Sequence, residues 1–175
     1  MTKRLSFDQK YGEECFENFF QQNWEKIYKV LFQLTGQIDE AEDITLDVFI
    51  QLWQKPPSHQ ENVSGWLYRI AMNKGYNALR SHQRRIKYET EAGLKRIERM
   101  NQLSPEVLLD KATQRKLIQS TLNKMPKRQA QLLLLRHADL SYNEIAEILQ
   151  IAPVSVGKLI NRAAKKFCQI YLEGE

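Results

Sequence analysis

Residues 141–162 read SYNEIAEILQIAPVSVGKLINR and carry the clearest helix signals in the chain. Ser141 and, three residues later, Glu144 form a capping-box pair, in which each side chain satisfies a backbone N–H of the other residue at a helix start. Apolar residues follow at helical spacing until Gln150. Pro153 then stands in the first turn of a second helix, where a backbone N–H would have no partner within the helix, so proline loses no hydrogen bond there. The stretch therefore predicts two short helices joined by a turn, with Gln150 where glycine is usual.

The spacing within this helix pair is that of a helix-turn-helix. Ala146 in the first helix, Ile151 in the turn and Val156 in the second helix are the small and apolar positions that let the helices cross closely. In a DNA-binding helix-turn-helix, the second helix lies in the major groove. Capped helix pairs also occur as plain corners of all-α proteins, so the rest of the chain has to decide between these interpretations.

Composition excludes several classes of protein. The chain has 175 residues, 42% of them hydrophobic, and no run approaches the roughly 20 apolar residues of a membrane span. The N-terminal stretch lacks the apolar core of a secretory signal, and Cys15 and Cys168 are isolated, so a reduced cytoplasmic protein without membrane insertion is expected. No histidine has a partner at metal-ligand spacing and no phosphate-binding loop is present, so no metal, cofactor or catalytic residue is expected.

Charge is divided unevenly along the chain. Residues 1–62 hold six basic and eleven acidic residues, a net charge of −5, whereas residues 63–100 hold nine basic and three acidic residues, a net charge of +6. Two oppositely charged surfaces indicate two partners, a basic one for the first part and a polyanion for the second. The alternative is that these charged residues only make the helix surfaces hydrophilic and do not mark a binding partner.

The acidic part contains two predicted helices. Residues 12–35 are amphipathic and end at Gly36. The next helix, DEAEDITLDVFIQLW at 39–53, has acids in its first turn and two apolar stripes. One stripe is Ala41, Ile44, Val48 and Leu52, and the other is Leu46, Phe49, Ile50 and Trp53. The second stripe packs either within its own bundle or against a partner protein.

A third predicted helix, GWLYRIAMNKGYNALRSHQRR at 65–85, follows a loop and is capped by Ser64. Its core stripe consists of Leu67, Ile70, Ala71 and Ala78. A second stripe mixes an aromatic ring with amides and guanidinium groups: Trp66, Arg69, Asn73, Asn77, Arg80 and Arg84. Such a face suits unpaired DNA, because bases stack on rings and Arg holds phosphates, although a solvated face would look similar.

Apolar periodicity fades after this helix while basic residues cluster between Arg80 and Arg99. We therefore predict an all-α chain of two small helical domains joined by a basic linker. The first domain is 1–88, the linker 89–110 and the second domain 111–175. A helix beginning near Pro105 and another after Pro126 precede the helix-turn-helix, giving a four-helix C-terminal module.

Taken together, these passages resemble an extracytoplasmic-function (ECF) sigma factor of the sigma-70 family. Three stretches carry the resemblance in the family's order: 39–53, 65–85, and the run MPKRQAQLLLLRHADLSYNEIAEILQIAPVSVGKLINRA at 125–163. The resemblance implies a non-catalytic subunit that directs core RNA polymerase to promoters and assists −10 melting. It also implies that the partners are the β′ clamp and β flap of the polymerase, promoter DNA and an anti-sigma factor.

The resemblance assigns residues to three surfaces. It implies that the polymerase-binding residues are Asp39, Glu40, Glu42, Asp43, Leu46, Asp47, Phe49, Ile50 and Trp53. It implies that the −10 element is bound by the loop 55–63 and by Trp66, Arg69, Asn73, Asn77, Arg80 and Arg84. It implies that the −35 element is bound by Ser155, Lys158, Asn161, Arg162 and Lys165, where Arg162 has the alternative of pairing with the preceding helix.

The chain departs from the family pattern where its last helix begins. Gly157 and Leu159 stand where basic residues are usual, so phosphate contact there should be weaker, and Gly157 costs the helix on the order of 1 kcal/mol relative to alanine. One rival interpretation is a helix-turn-helix regulator that binds operator DNA without polymerase. The other is a helical nucleic-acid hydrolase, which would need clustered carboxylates for metals, whereas the acids of 39–47 are strung along a helix start.

Overall fold

The structure is a computed structural model that describes residue 7 and residues 12–58, 62–91 and 105–173. Within these ranges it contains seven α-helices and no strand, which confirms the all-α prediction. The helices are α1 Glu13–Thr35, α2 Ile38–Gln54, α3 Val63–Glu91, α4 Pro105–Lys124, α5 Lys127–His137, α6 Tyr142–Leu149 and α7 Pro153–Leu172. We call α1–α3 the N-terminal module and α4–α7 the C-terminal module.

The N-terminal module is held together by close packing of α1 on α3. Helix α1 ends as predicted at Gly36, whose φ of 77° is left-handed and whose N–H bonds the Phe32 carbonyl at 2.9 Å. In α3, a Cβ on Gly75 would lie 2.7 Å from Leu34 Cδ2 and 2.9 Å from Leu31 Cδ2. A side chain at this position would force the two leucine side chains to move, so glycine allows the close approach of the helices.

Helix α2 turns one of its two apolar stripes into the module. Ala41, Val48 and Leu52 are buried, as expected, but so is Phe49, which is only 1% exposed. Its ring lies 4.7 Å from that of Phe20, centroid to centroid, in an edge arrangement. The sequence placed Phe49 on the partner-binding stripe, and the structure corrects this, because the aromatic residues of α1 draw its ring into the core.

Helix α3 begins two residues earlier than predicted and extends further, from Val63 to Glu91. Its N-terminus is capped by Asn62, whose Oδ1 accepts the Gly65 N–H at 3.1 Å, so the prediction that Ser64 is the cap is wrong. The helix continues to Glu91, inside the expected linker, and α4 begins at Pro105 as predicted. Three basic residues of the expected linker, Lys95, Arg96 and Arg99, lie outside the described residues.

The C-terminal module contains the helix pair predicted from 141–162. Both bonds of the capping box form: the Glu144 N–H donates to Ser141 Oγ at 3.3 Å, and the Ser141 N–H donates to Glu144 Oε2 at 2.7 Å. Gln150 adopts the left-handed conformation with φ 53°, a strain of about 1–2 kcal/mol for a residue with a Cβ. Pro153 occupies the first turn of α7, and Val156 is fully buried against the module's core.

The two modules also pack on each other. Helix α6 contacts α3, and α1 contacts both α4 and α5. Lys127 Nζ lies 4.7 Å from the centroid of the Tyr76 ring, and the Tyr76 hydroxyl donates to the Lys127 carbonyl at 3.5 Å. Burial at this contact raises the pKa of Tyr76 to about 12. The buried side chains of both modules consequently form one hydrophobic cluster.

Candidate nucleic-acid and protein interfaces

The outward side of α2 combines apolar and acidic side chains. Leu46, Ile50 and Trp53 are 49%, 42% and 43% exposed, which is unusual for three large apolar residues on one helix face. We call these three residues the α2 face. Ile38, at the start of the same helix, is also exposed. It lies outside both predicted stripes, so their spacing did not reveal it.

Acidic groups lie on the N-terminal side of the α2 face. Asp39, Glu42 and Asp43 are exposed and Glu40 is half-buried, all within the first two turns, where the positive end of the helix dipole favours them. Asp47 is already engaged, since its Oδ2 lies 2.6 Å from the Lys74 Nζ of α3. The remaining acids and the apolar α2 face together suit a partner that is basic with apolar contacts of its own.

The polar stripe of α3 forms a continuous face that becomes more exposed along the helix. Asn73, Asn77, Arg80 and Arg84 are exposed, whereas Trp66 and Arg69 near the N-terminus are half-buried. Trp66 packs against the hydrophobic core, so part of its ring is structural. The face therefore offers amide and guanidinium donors along its length and a partly accessible aromatic ring at one end.

The N-terminal half of this stripe is turned towards the C-terminal module. Arg69, Met72 and Asn73 line one side of a cavity of about 200 Å³ whose other side comes from α5 and α6. The lining residues from those helices are Arg128, Gln131, Ile148, Leu149 and Gln150. No sequence pattern could have revealed this juxtaposition, because it depends on how the modules meet.

Tyr68 lies beside this contact. Its hydroxyl is buried and has no hydrogen-bond partner among the described residues. Burial raises its pKa well above the usual tyrosine value, and the nearby Glu144 carboxylate of α6 raises it further. The contact between the modules thus leaves a polar group unsatisfied, which is a free-energy cost of the packed arrangement.

Helix α7 presents its polar residues to solvent. Lys158, Asn161, Arg162 and Lys165 are exposed and Ser155 is half-buried. In the described part of the chain, Arg162 forms no ion pair with the preceding helix. The side chains expected to contact DNA are therefore accessible, while Val156 holds the helix in place.

Gly157 has a structural explanation that the sequence did not provide. A Cβ at this position would lie 3.3 Å from Cε2 of Tyr142, the first residue of α6. The guanidinium carbon of Arg136 lies 5.6 Å from the centroid of the same ring. The absence of a side chain at Gly157 lets the Tyr142 ring rest against α7.

The C-terminal module also carries an apolar groove. A cavity of about 330 Å³ opens between α4, α5 and α7. It is lined by Ile118, Leu122, Leu133, Leu134, His137, Ala164, Phe167 and Cys168, and by Gln33 of α1. Its dimensions and lining suit an apolar side of a partner helix.

Two kinds of site do not occur in the described ranges. No three His, Cys, Asp or Glu residues there are placed to hold a metal ion together. None of the helices described is both long enough and apolar enough to cross a membrane.

Two family models match the chain. The model of Sigma-70 region 2 matches residues 19–85, and that of Sigma-70, region 4 matches residues 115–167. The first range falls within the N-terminal module and the second within the C-terminal module. Each match thus coincides with one of the two modules.

Two relatives match over most of their length. The ECF RNA polymerase sigma factor SigW of Bacillus subtilis (strain 168) is 30% identical over 93% of this chain and 91% of its own length. The RNA polymerase sigma factor YlaC of the same organism is 29% identical over 86% of this chain and 88% of its own length.

Two solved structures share the fold. CnrH in complex with the cytosolic domain of CnrY superposes with a TM-score of 0.61 at 17% identity, covering 90% of this chain and 87% of that one. The sigma factor RpoE of Bartonella quintana, in complex with the anti-sigma factor NepR, gives a TM-score of 0.59 at 20% identity, covering 90% and 97%. At these identities the likeness concerns the fold alone.

Proposed function

Since this chain belongs to the ECF sigma factors of the sigma-70 family and so confers promoter specificity on RNA polymerase, we propose which of its surfaces bind the polymerase and which bind the promoter. Members of this family are non-catalytic subunits of transcription initiation, so the chain is not an enzyme. It acts, in this proposal, in the cytoplasm. The observation that carries the division of roles is the exposure of Leu46, Ile50 and Trp53 on the helix that also carries the acidic side chains.

The α2 face binds core polymerase at the β′ clamp. Burying Leu46, Ile50 and Trp53 would remove apolar surface from water, which favours association by about 25 cal/mol per Å² before the costs of binding. The acids Asp39, Glu42 and Asp43 supply charge complementarity to a basic partner, which mainly accelerates association and selects the partner. Phe49 contributes only indirectly, by fixing α2 on α1.

Co-purification with core polymerase followed by run-off transcription tests this function. The wild-type chain should bind core polymerase and produce specific transcripts, whereas a regulator that works alone would bind duplex operator DNA and leave transcription by core polymerase unchanged. Leu46→Glu should abolish co-purification while circular dichroism stays helical. Loss of the helical spectrum in that variant would mean that Leu46 belongs to the core.

The polar face of α3 binds the −10 element as it melts. An unstacked base needs replacement stacking and hydrogen bonds, and the exposed amides and guanidinium groups from Asn73 to Arg84 offer the latter. Asn73→Ala should spare polymerase binding and reduce permanganate-detected opening of the −10 region. Trp66→Ala should reduce opening as well, but its half-buried ring adds a loss of fold stability. Normal opening in both variants would exclude the stripe.

The exposed residues of α7 bind the −35 element in the major groove. Lys158 and Lys165 are exposed cations that contact phosphates in this proposal, and the exposed Asn161 has an amide that can bond an adenine edge through both its groups. Tyr142 lies beside Gly157 in the position that a longer side chain would otherwise occupy. The module keeps a complete helix-turn-helix although two of its usual basic positions are absent.

The apolar groove of the C-terminal module receives the β flap. The groove is concave and mostly apolar, and a helix presenting apolar residues at its tip would fill it. An anti-sigma factor is a further partner in this proposal, supported by the RpoE structure, which was solved with one. Phe167→Glu should weaken binding of an isolated flap fragment; unchanged binding would place the flap elsewhere.

A further inference from the structure

We propose that Val154, the second residue of α7, reads the methyl group of a thymine in the −35 element. This role rests on the proposed function, since it requires α7 to lie in the major groove of that element. It adds an apolar specificity-determining residue to the polar residues of α7, and it states which base that residue selects.

Val154 is unusually exposed for an apolar residue within a helix. It is 92% exposed, compared with 49% for Leu46 on the α2 face. Ala152 and Pro153, which precede it, are exposed as well, so three successive apolar residues meet solvent. Valine is also a weaker helix former than alanine. Neither packing nor helix propensity accounts for a valine at this position, and an exposed apolar run of this kind is a feature of functional surfaces.

Val154 lies on the same face of α7 as residues that contact DNA in the proposed function. Lys158, Asn161 and Lys165 follow it by four, seven and eleven residues, a spacing that returns to one face of an α-helix. Val154 also precedes the fully buried Val156 by two residues, and a step of two residues turns about 200° around the helix. This face therefore points away from the core of the C-terminal module, and Val154 is its N-terminal end.

The chemistry of the major groove selects the base that fits Val154. In a helix-turn-helix, the N-terminal residues of the second helix contact base edges. Thymine presents an apolar group there, its C5 methyl, whereas guanine, cytosine and adenine present hydrogen-bond donors and acceptors. Because the valine side chain has no polar atom, beside those three bases it would displace water without replacing the lost hydrogen bonds. Beside thymine it buries one apolar group against another.

The distance along α7 between Val154 and Asn161 limits where this thymine lies. Seven residues of α-helix span about 10.5 Å, which is roughly three base pairs at 3.4 Å each. Val154 and Asn161 should therefore read different base pairs that are within about three steps of each other. The position at which Asn161→Ala relaxes discrimination then fixes the part of the element in which the thymine is sought.

Deoxyuridine, which lacks the methyl group of thymine, tests this role. Holoenzyme assembled from the full chain and core polymerase is bound to a promoter fragment on which it makes a run-off transcript. Each thymine of the −35 element, on either strand, is replaced singly by deoxyuridine. At one thymine the wild-type holoenzyme should bind about fourfold more weakly after replacement, which corresponds to about 0.8 kcal/mol for one buried methyl-sized group.

Variants of Val154 connect this ratio to the side chain. Val154→Ser removes both methyl groups at similar helix propensity, so the ratio of thymine to deoxyuridine binding should fall to about one. Val154→Ile keeps the branched apolar side chain and should keep the ratio. Leu172→Ser is the matched control, since Leu172 is a 68% exposed apolar residue at the other end of α7, and it should also keep the ratio. Each protein is compared with itself on two promoters, so changes in folding or in polymerase binding cancel.

Three results would show that Val154 does not read a thymine. One is a −35 element without any A·T pair, and another is the absence of a thymine whose ratio depends on Val154. The third is an equal loss of binding to both promoters in Val154→Ser, since Val154 would then contact the polymerase or the DNA backbone. In each case, binding that still depends on the −35 sequence leaves the proposed function intact. A holoenzyme indifferent to every −35 substitution would contradict both the proposed function of α7 and the role of Val154.

Discussion

The two modules fix their helices by different means. In the N-terminal module, aromatic rings from separate helices interlock: Phe20 and Trp24 of α1 both contact Phe49 of α2, with centroids 4.7 and 5.8 Å away. In the C-terminal module, features within a few residues of each other fix the helix pair: a capping box, the left-handed conformation of Gln150 and a proline in the first turn of α7. Stability should therefore depend on long-range packing in the first module and more on caps and turns in the second.

The largest effect is expected where the aromatic packing is broken. Phe49→Glu places a charge in a core position and removes both ring contacts, which should cost at least about 3–5 kcal/mol of unfolding free energy. Leu46→Glu, three residues away on the same helix, should cost less than about 0.5 kcal/mol because its side chain is half exposed. Urea titration followed by circular dichroism measures both.

If the two variants lost similar amounts of unfolding free energy, Leu46 would belong to the core like Phe49. The proposed polymerase-binding surface on α2 would then be wrong. Loss of polymerase binding by Leu46→Glu with intact stability would separate the roles of the two residues.

A pair of glycines, one in each module, sharpens the comparison. Gly75→Ala forces a methyl group within 3 Å of Leu31 and Leu34, and such overpacking typically costs about 1–3 kcal/mol. Gly157→Ala meets only the edge of the exposed Tyr142 ring, which can move, so up to about 1 kcal/mol of helix propensity should be gained. Thermal unfolding of the two variants should show shifts of opposite sign. A loss in both would indicate that α6 and α7 are packed as rigidly as α1 and α3.

The same contrast explains which parts of the molecule the sequence predicts. The capping box at Ser141, the end of α1 at Gly36 and the start of α7 at Pro153 were predicted because each signal acts within four residues. The location of Phe49 was not, because both stripes of α2 are apolar and only the rings of α1 decide between them. The contact between α3 and α6 was also unpredicted, since it joins residues 85 positions apart.

The next prediction concerns the open face of α7. Asn161→Ala should weaken discrimination at one or two base pairs of the −35 element by roughly 1–3 kcal/mol, because one bidentate contact is lost. Lys158→Ala should weaken binding to all sequences alike and reduce the salt dependence by about one phosphate contact. Binding of the polymerase holoenzyme to promoter variants at several salt concentrations distinguishes the two. If Lys158→Ala changed sequence preference instead, the assignment of phosphate and base contacts would be reversed.

The smallest effect is expected from the cap of α6. Ser141→Ala removes the hydroxyl that accepts the Glu144 N–H, which should cost the C-terminal module about 1 kcal/mol at neutral pH. The hydrogen bonds from Ser141 lower the pKa of Glu144, so the ionised carboxylate is favoured in the folded state. A group with a lowered folded pKa stabilises the fold above its unfolded value of about 4.3 and loses that contribution as the pH falls through the folded pKa. The difference in unfolding free energy between wild type and Ser141→Ala should consequently shrink as the pH falls below the unfolded pKa of the glutamate. Glu144→Gln should remove most of this pH dependence while keeping a neutral hydrogen-bonding side chain. If the difference in unfolding free energy between wild type and Ser141→Ala stayed constant with pH, the cap would work through the hydroxyl alone. The stability of the C-terminal module would then depend less on the Glu144 charge than its contrast with the aromatic N-terminal module implies.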